Sequence, residues 1–472
     1  MLRPWKIEIQ WDKKSGKAVY LQIADAIVSD IQSGRLKPGD ALPGSRSLAE
    51  IIGVNRNTIV EALQVLLIEG WLISKERKGT FVSDTLPLTS QRNKQRSKGT
   101  DQPIIDKRVL IAIDDGHPDS SFAPVAELAR AYRQLFGRKA KWQMMGYNDE
   151  RGDPEFRQAI VRMLNHNRGM HVDEGGVCIT RGSQMAMYLI AQCLFEKGDL
   201  VIIENPGYKP AWEVFERAGA ELLPATVDDD GIVVEEVERY LKTKKRIKAI
   251  YLTPHRQYPT TATLSLQRRL ELIRLSNQYG FTIIEDDYDN EFHFGYRPVL
   301  PMSSFFELEN YVYIGTMSKV VAPALRIGFL ASGNHVLVSQ TAALRKLIDV
   351  QGDTIMEQAV LELIRDGAIK RHIRKASAYY EAKRDCAAIL VEKHLKGKVK
   401  YQLPDGGLAF WLTPLQETDW TELSGQLEAK GIHLIHPEKY SYGKPVNGLR
   451  LGYGSLSEVQ MEEVIRALSI LL

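Results

Sequence analysis

Residues 21–34, LQIADAIVSDIQSG, place Ile23, Ile27, Val28 and Ile31 on one helical face and close on Gly34. After the turn-rich stretch LKPGDALPGS, the run SRSLAEIIG predicts a second helix, with a capping box from Ser47 and Glu50 and a stop at Gly53. A third helix follows in VNRNTIVEALQVLLIEG, with Asn55 as its cap, and WLISKERKGTFV reads as two short strands around a basic turn. From about residue 108 the pattern changes. Short β-branched runs alternate with amphipathic helices, and LVIIENPGY, IKAIYLTP, GFTIIEDDYD and YVYIGT are the clearest strands. Strand–helix alternation predicts an α/β domain with a mainly parallel sheet, whose ligand groups gather at the carboxyl ends of the strands.

Between these regions the periodicity lapses. SDTLPLTSQRNKQRSKGTDQP, residues 83–103, is polar, basic and punctuated by Pro and Gly, as a linker is. The chain therefore divides into an amino-terminal domain at 17–83, a flexible basic linker at 84–107 and a large domain at 108–472. If flexible, such a linker spans about 25–30 Å on average. A length of 472 residues suits two or three domains, and 44% hydrophobic with 26% charged residues suits soluble globular ones. No window approaches a membrane span, and the start MLRPWKIEIQWDKKSG lacks the apolar core of a signal peptide. Cys178, Cys193 and Cys386 show no metal-ligand spacing, which points to buried thiols in a reducing cytoplasm and to no metal site. The net charge of +3 says little, but residues 1–100 hold 16 Lys and Arg against 10 Asp and Glu. A basic end on a near-neutral body suits a partner that carries phosphates.

Three helices and a β-wing make a winged helix-turn-helix. Its third helix enters the major groove with first-turn residues at base edges, here Arg56, Asn57 and Thr58. Arg46 and the wing residues Lys75, Arg77, Lys78 and Thr80 are suited to phosphate. Tyr20–Val82 resembles the DNA-binding domain of GntR-type bacterial regulators, and double-stranded operator DNA is the partner this implies. Gly44 stands where that pattern has serine, which alters one phosphate contact.

In the large domain, GTMSKVVAPALRIGF sets Lys319 on a Ser-containing turn after a strand, a suitable place for a Schiff-base lysine. Pyridoxal 5'-phosphate needs further groups. Asp286 at a strand end offers a carboxylate for the ring nitrogen, and Tyr288 a hydroxyl for the ring oxygen. Gly182, Ser183 and Gln184 open a helix whose amides suit a phosphate, with Arg326 and Ser318 adding hydrogen bonds. Tyr208 in ENPGY offers an aromatic stack. Taken in order, these residues resemble the fold-type I aminotransferases over residues 108–472. That resemblance implies an internal aldimine at Lys319, the ring-nitrogen carboxylate at Asp286 and the phosphate arginine at Arg326. A GntR-type domain joined to such a domain is the arrangement of the MocR family of bacterial regulators, whose signatures TPHRQYP, EDDYDNEF and GTMSKVVAPALR resemble.

The family resemblance implies a homodimer, head-to-tail, that senses an amino acid, an amine or pyridoxal phosphate itself. Gamma-aminobutyrate, taurine and D-alanine are all compatible with it. Tyr258 stands where dedicated aminotransferases carry asparagine, which favours a regulator over an efficient enzyme. Arg450 is the position of the aminotransferase carboxylate arginine, with Lys439 in reserve, and Arg256 is either a second carboxylate ligand or a surface arginine. Ala324 replaces the usual glycine before Leu325-Arg326. Three functions remain open at this level: a ligand-sensing regulator, an aminotransferase with an accessory DNA-binding domain (or one giving only a weak half-reaction), and a cofactor-free scaffold.

Overall fold

The computed structural model of the chain describes residues 9, 11–12, 16–75, 79–86, 111–137, 141–244, 246–295 and 299–472. Arg77, Lys78 and residues 87–107 of the expected linker lie outside them. The chain divides into two compact units, Met1–Ile105 and Asp106–Leu472.

The first unit holds helices α1 (Val19–Gln32), α2 (Ser45–Ile52) and α3 (Arg56–Ile68) and strands β1 (Leu72–Lys75) and β2 (Gly79–Val82). Ile23, Ile27 and Ile31 of α1 pack with Leu48 of α2 and Ile59, Leu63 and Leu66 of α3. That is the face the periodicity predicts, with Val28 at its half-buried margin. The α2–α3 corner bends by 116°, within the range of a helix-turn-helix. Gly53 makes the corner in the left-handed conformation, and the Asn55 side chain then caps α3 by accepting from the Asn57 amide. The expected capping box is not formed. α2 begins at Ser45 after an extended Gly44 with no side-chain cap, so Ser47 lies inside the first turn. β1 and β2 pair antiparallel as the wing, and Ala41 bridges to Phe81 at its edge.

The second unit is built on an eight-stranded sheet. Its strands are β3 (Val177–Thr180), β4 (Leu200–Asn205), β5 (Glu221–Asp228), β6 (Gly231–Ile232), β7 (Ile247–Leu252), β8 (Thr282–Asp287), β9 (Tyr311–Thr316) and β10 (Gly328–Ala331), in the order β3-β10-β9-β8-β7-β4-β5-β6. Only β10 and the short β6 run against the rest. All four strands expected from sequence are present. Their continuous apolar runs are explained by burial of both faces. Ile202, Ile250 and Ile283 meet the helices Pro154–Arg168, Leu266–Tyr279 and Thr354–Arg365, while Val201, Ile203, Tyr251 and Ile284 meet the helices Ser183–Leu194, Lys209–Arg217 and His335–Asp349. The six parallel strands β3, β4, β5, β7, β8 and β9 therefore end on one edge, which becomes the floor of the site.

A smaller antiparallel sheet follows, of β11 (Val399–Lys400), β12 (Ala409–Pro414) and β13 (Leu449–Gly452). It packs Phe410, Leu412 and Leu451 against the long helix Ala368–Leu395 and the last helix, Glu458–Leu471. Of the three cysteines only Cys178 is buried, where burial pushes its thiol up to about 11; Cys193 and Cys386 are half-buried. No single helix among the described residues is long and apolar enough to cross a membrane.

Ile202 has no exposed surface and Leu266 is 62% exposed. Ile202→Ala is expected to cost the large domain about 2–5 kcal/mol and Leu266→Ala under about 0.5 kcal/mol, measured by urea unfolding of each variant.

Candidate functional site

At the carboxyl edge of the sheet lies a cavity of about 210 Å³, lined by Asp115, His117, Tyr208, Thr253, Tyr258, Asp286, Tyr288, Ser318, Lys319 and Arg326 among others. Its residues come from the turn after β3, from the ends of β4, β7, β8 and β9, and from the segment 115–118, among others.

One end of the cavity is an anion cup. β3 ends at Thr180, and Gly182 turns the chain at φ +81° into α4 (Ser183–Leu194), whose N-terminus has no side-chain cap. The first amides of α4 are therefore open to an anion, with the helix dipole behind them. Arg326 reaches the same turn. Its own backbone is left-handed, at φ 51°, and its Nη2 donates to the Arg181 carbonyl at 3.3 Å. A Cβ on Gly182 would lie 2.6 Å from that nitrogen, so glycine is required there twice over, by conformation and by space. Ser318 Oγ, also in the cup, is buried with no partner. Gln184 is the second residue of α4, and its side-chain amide donates to the Pro210 carbonyl.

The floor is the strand end Glu285-Asp286-Asp287, three consecutive buried acids. Successive side chains alternate across a sheet, and the partners alternate with them. Glu285 accepts from the amides of Met302 and Ser303 and from the Ser303 hydroxyl. Asp287 takes Arg168 at 2.7 Å, the Tyr313 hydroxyl and Asn290. Asp286, on the cavity side, accepts from the Tyr251 hydroxyl at 2.7 Å, and its Oδ1 is buried without a partner. Burial pushes the Asp286 carboxyl up to about 7, against the pull of Tyr251. A buried carboxylate with one open oxygen is what a protonated ring nitrogen requires.

Lys319 stands on the turn after β9. Its amine donates to the Gly116 carbonyl and lies 5.8 Å from the centroid of the Tyr288 ring. Burial pushes this amine below its ordinary value, and Asp115 opposes that shift. A lowered lysine pKa is the condition for a nucleophilic amine near neutral pH. Tyr208, Tyr258 and Tyr288 meet edge to face, with centroids 5.1 and 6.1 Å apart. The Tyr258 hydroxyl is turned to Asp115 at 2.9 Å.

The carboxylate candidates fall outside the cavity wall. Arg450, on β13, is buried, and its Nε, Nη1 and Nη2 donate to the Asp115 carbonyl, the Pro259 carbonyl and the Tyr288 hydroxyl. Arg256 is neither a surface arginine nor a wall residue. It is 3% exposed and pairs with Asp289 at 3.0 Å, packed so closely under Gly406 and Gly407 that side chains there would strike it. Lys439 is exposed and is absent from the wall. Asp115, His117 and Tyr251 were not foreseen. The run DDGHPD at 114–119 was the available signal for the first two; Tyr251 is hidden in an ordinary apolar strand.

On the amino-terminal unit, Arg46, Arg56, Asn57 and Lys75 are exposed, and Thr58 and Thr80 half-buried. Arg56 and Asn57 begin α3, and Arg56 Nε reaches Ser45 Oγ at 3.4 Å.

Comparison with known proteins bears on both units. Residues 114–468 match the family model "Aminotransferase class I and II". The chain belongs to that family. Residues 19–82 match "Bacterial regulatory proteins, gntR family", so the first unit is a GntR-type DNA-binding domain. The same combination extends over a probable rhizopine catabolism regulatory protein, MocR, of Rhizobium meliloti, 28% identical over 97% of this chain and 94% of that one. Aromatic-amino-acid aminotransferase 1 of Thermococcus litoralis is 26% identical over 78% of this chain and 88% of its own. Among solved structures, the multiple substrate aminotransferase of Thermococcus profundus superposes with a TM-score of 0.72 at 26% identity, covering 77% of this chain and 91% of that one. The architecture is thus a GntR-type domain followed by a fold-type I aminotransferase domain, the MocR arrangement, and its cofactor is pyridoxal phosphate.

The residues present fit that cofactor. The open Asp286 oxygen, the partnerless Ser318 hydroxyl and the uncapped α4 are three unmet polar features around one cavity, and the Lys319 amine, pushed below its ordinary value by burial, lines it. Gly182→Ala is expected to weaken pyridoxal phosphate binding at least tenfold, read from cofactor absorbance in equilibrium dialysis. The elevated Asp286 carboxyl makes a signed prediction. A carboxyl near 4 when unfolded and about 7 when folded stabilises the fold at low pH and loses that contribution as pH rises through this window. Cofactor-free Asp286→Asn is therefore expected to lose less stability than the native chain between pH 4 and 7, by urea midpoints at each pH.

Proposed function

We propose that the protein is a pyridoxal-phosphate-dependent transcriptional regulator. A small amine, an amino acid or the cofactor itself, bound around Lys319, changes its grip on operator DNA. The observation that carries this reading is the pairing, in one chain, of a DNA-binding domain with a cavity that Lys319 lines and in which Asp286 Oδ1 and Ser318 Oγ are buried without partners. In it, Gly182, Ser183, Gln184, Ser318 and Arg326 hold the phosphate, Asp286 the ring nitrogen, and Tyr208, Tyr258 and Tyr288 the ring and its oxygen. When bound, pyridoxal phosphate supplies an aldehyde carbon that condenses with amines and a ring that withdraws electrons. Lys319 supplies the amine that holds it, and Asp286 keeps a proton at the ring nitrogen. A ligand shifts DNA affinity only through its differential affinity for two arrangements of the protein. Freeing of the Lys319 side chain when an amine ligand is bound would provide such a differential.

We further read the protein as a homodimer. Met145, Tyr147, Leu347, Ile348 and Val350 are exposed, on segments that the Asn148 amide and Gln351 side chain bring together. Contiguous exposed apolar side chains of this kind favour a protein interface. On DNA, Arg56, Asn57 and Thr58 address bases, and Arg46, Lys75, Arg77, Lys78 and Thr80 address phosphates. An aminotransferase reading shares the Lys319 and Asp286 groups, and sustained exchange between an amino acid and a 2-oxo acid would establish it instead.

The test uses an operator selected from random duplexes. Arg56→Ala is expected to weaken that operator tenfold or more, and Lys75→Ala to lower the salt slope by about one. Lys319→Ala is expected to bind the operator but to lose any response to added amines or cofactor. An unchanged response in Lys319→Ala would overturn the sensing role.

A further inference from the structure

Asp286 lines the cavity, and Tyr251 stands behind it in the sheet with no exposed surface. β7 and β8 are parallel neighbours, and their register sets Tyr251 opposite Ile284. Side chains two positions apart on a strand share a face, so Asp286 lies one step further along the face that Tyr251 occupies. The Tyr251 ring packs among apolar side chains, edge to face with Phe215 at 5.4 Å. Its hydroxyl donates to Asp286 Oδ2 at 2.7 Å, while Asp286 Oδ1 has no partner. Burial, with the charge of Asp286 added, pushes the Tyr251 phenol well above its ordinary value. It therefore keeps its proton and acts as a donor.

The other surroundings of Asp286 oppose its charge. Burial pushes its carboxyl up to about 7, and the neighbouring Asp287 acts in the same direction. The arginine at this strand end, Arg168, pairs with Asp287 and Glu291. Tyr251 is the group that pulls the other way. A pyridine nitrogen is a weak base, so a proton between it and a carboxyl that resists ionisation stays on oxygen. A hydrogen bond donated to the carboxylate favours its charged form and moves that proton towards nitrogen.

We propose that Tyr251 is a positioning residue for the cofactor: by holding Oδ2 of Asp286 it leaves Oδ1 as the oxygen for the ring, and it biases their shared proton onto the ring nitrogen. A ring that keeps this proton withdraws electrons more strongly. Tyr251 thus sets the reactivity of the cofactor from outside the cavity, through Asp286 alone. The inference rests on the pairing of Asp286 with the ring nitrogen given above, and its test separates the two.

Two variants of the full-length chain test it. Tyr251→Phe removes the donor, and a fluorinated tyrosine at position 251 keeps the shape and strengthens the donor. In the cofactor-free protein the Asp286 carboxyl is titrated by NMR of labelled aspartates, with Asp286→Asn assigning the signal. Its midpoint is expected to rise in Tyr251→Phe and to fall with the fluorinated tyrosine. In protein loaded with ring-nitrogen-labelled pyridoxal phosphate, the nitrogen signal is expected to move towards its unprotonated position in Tyr251→Phe. Cofactor affinity is expected to fall about tenfold in the same variant. An Asp286 midpoint unmoved by Tyr251→Phe overturns the inference, as does an unmoved nitrogen signal. Shifts of the same sign in both variants also overturn it and leave Tyr251 as packing; if Tyr251→Phe does not fold, the fluorinated variant alone decides by its sign. A native ring nitrogen that carries no proton overturns the pairing with Asp286 itself, and the inference with it.

Discussion

Three adjacent carboxyl groups at the end of a buried central strand are the constraint around which the large domain is arranged. Each acid withdrawn from water needs donors, at a cost of kilocalories if they are missing. Glu285 and Asp287 face one layer and are met by the 302–303 turn, Tyr313 and Arg168. Asp286 faces the other and is only half met, by Tyr251. The neighbouring strands and turns are thereby placed by polar as well as apolar demands, and the one unmet demand points into the cavity.

A second knot is tied by Arg450. Its guanidinium joins the small sheet to the 113–119 segment through Asp115, to the 253–259 loop through Pro259, and to the end of the central strand through Tyr288. Arg256 does the same from the opposite direction, linking Asp289 to the Gly406-Gly407 turn. Buried charges of this sort contribute little net stability compared with apolar packing. Their directional bonds do define where the tyrosine walls stand relative to the sheet.

The strands were legible because both of their faces are buried, so they read as unbroken β-branched runs that stop at polar residues. The gathering of Ser183, Ser318, Lys319 and Arg326 at one cavity was legible because Gly182, Ser183 and Gln184 are consecutive, and Lys319 and Arg326 are seven positions apart. The capping box failed because Ser47 and Glu50 satisfy a local spacing while Gly44 starts the helix earlier. The ligand wall was not legible. Asp115 meets Tyr258 across 143 positions and Arg450 across 335, and no periodicity reports contacts at that range. Arg450 was assigned by its position in the resemblance and Arg256 by its nearness to the ring, and neither signal reveals the bonds their guanidinium groups make within the fold. Burial of the EDD run was equally hidden, since an acidic strand end is more often solvated.

Ile111 and Ile113 donate to the carbonyls of Gly431 and His433, and the same segment reaches the cavity wall at Asp115. The segment is held at the cavity by the bonds from Tyr258, Arg450 and Lys319 to Asp115 and Gly116. A cavity wall and its adjoining segment that share the same bonds form one mechanical piece. Whatever loosens or tightens those bonds changes the wall and the 114–117 turn together.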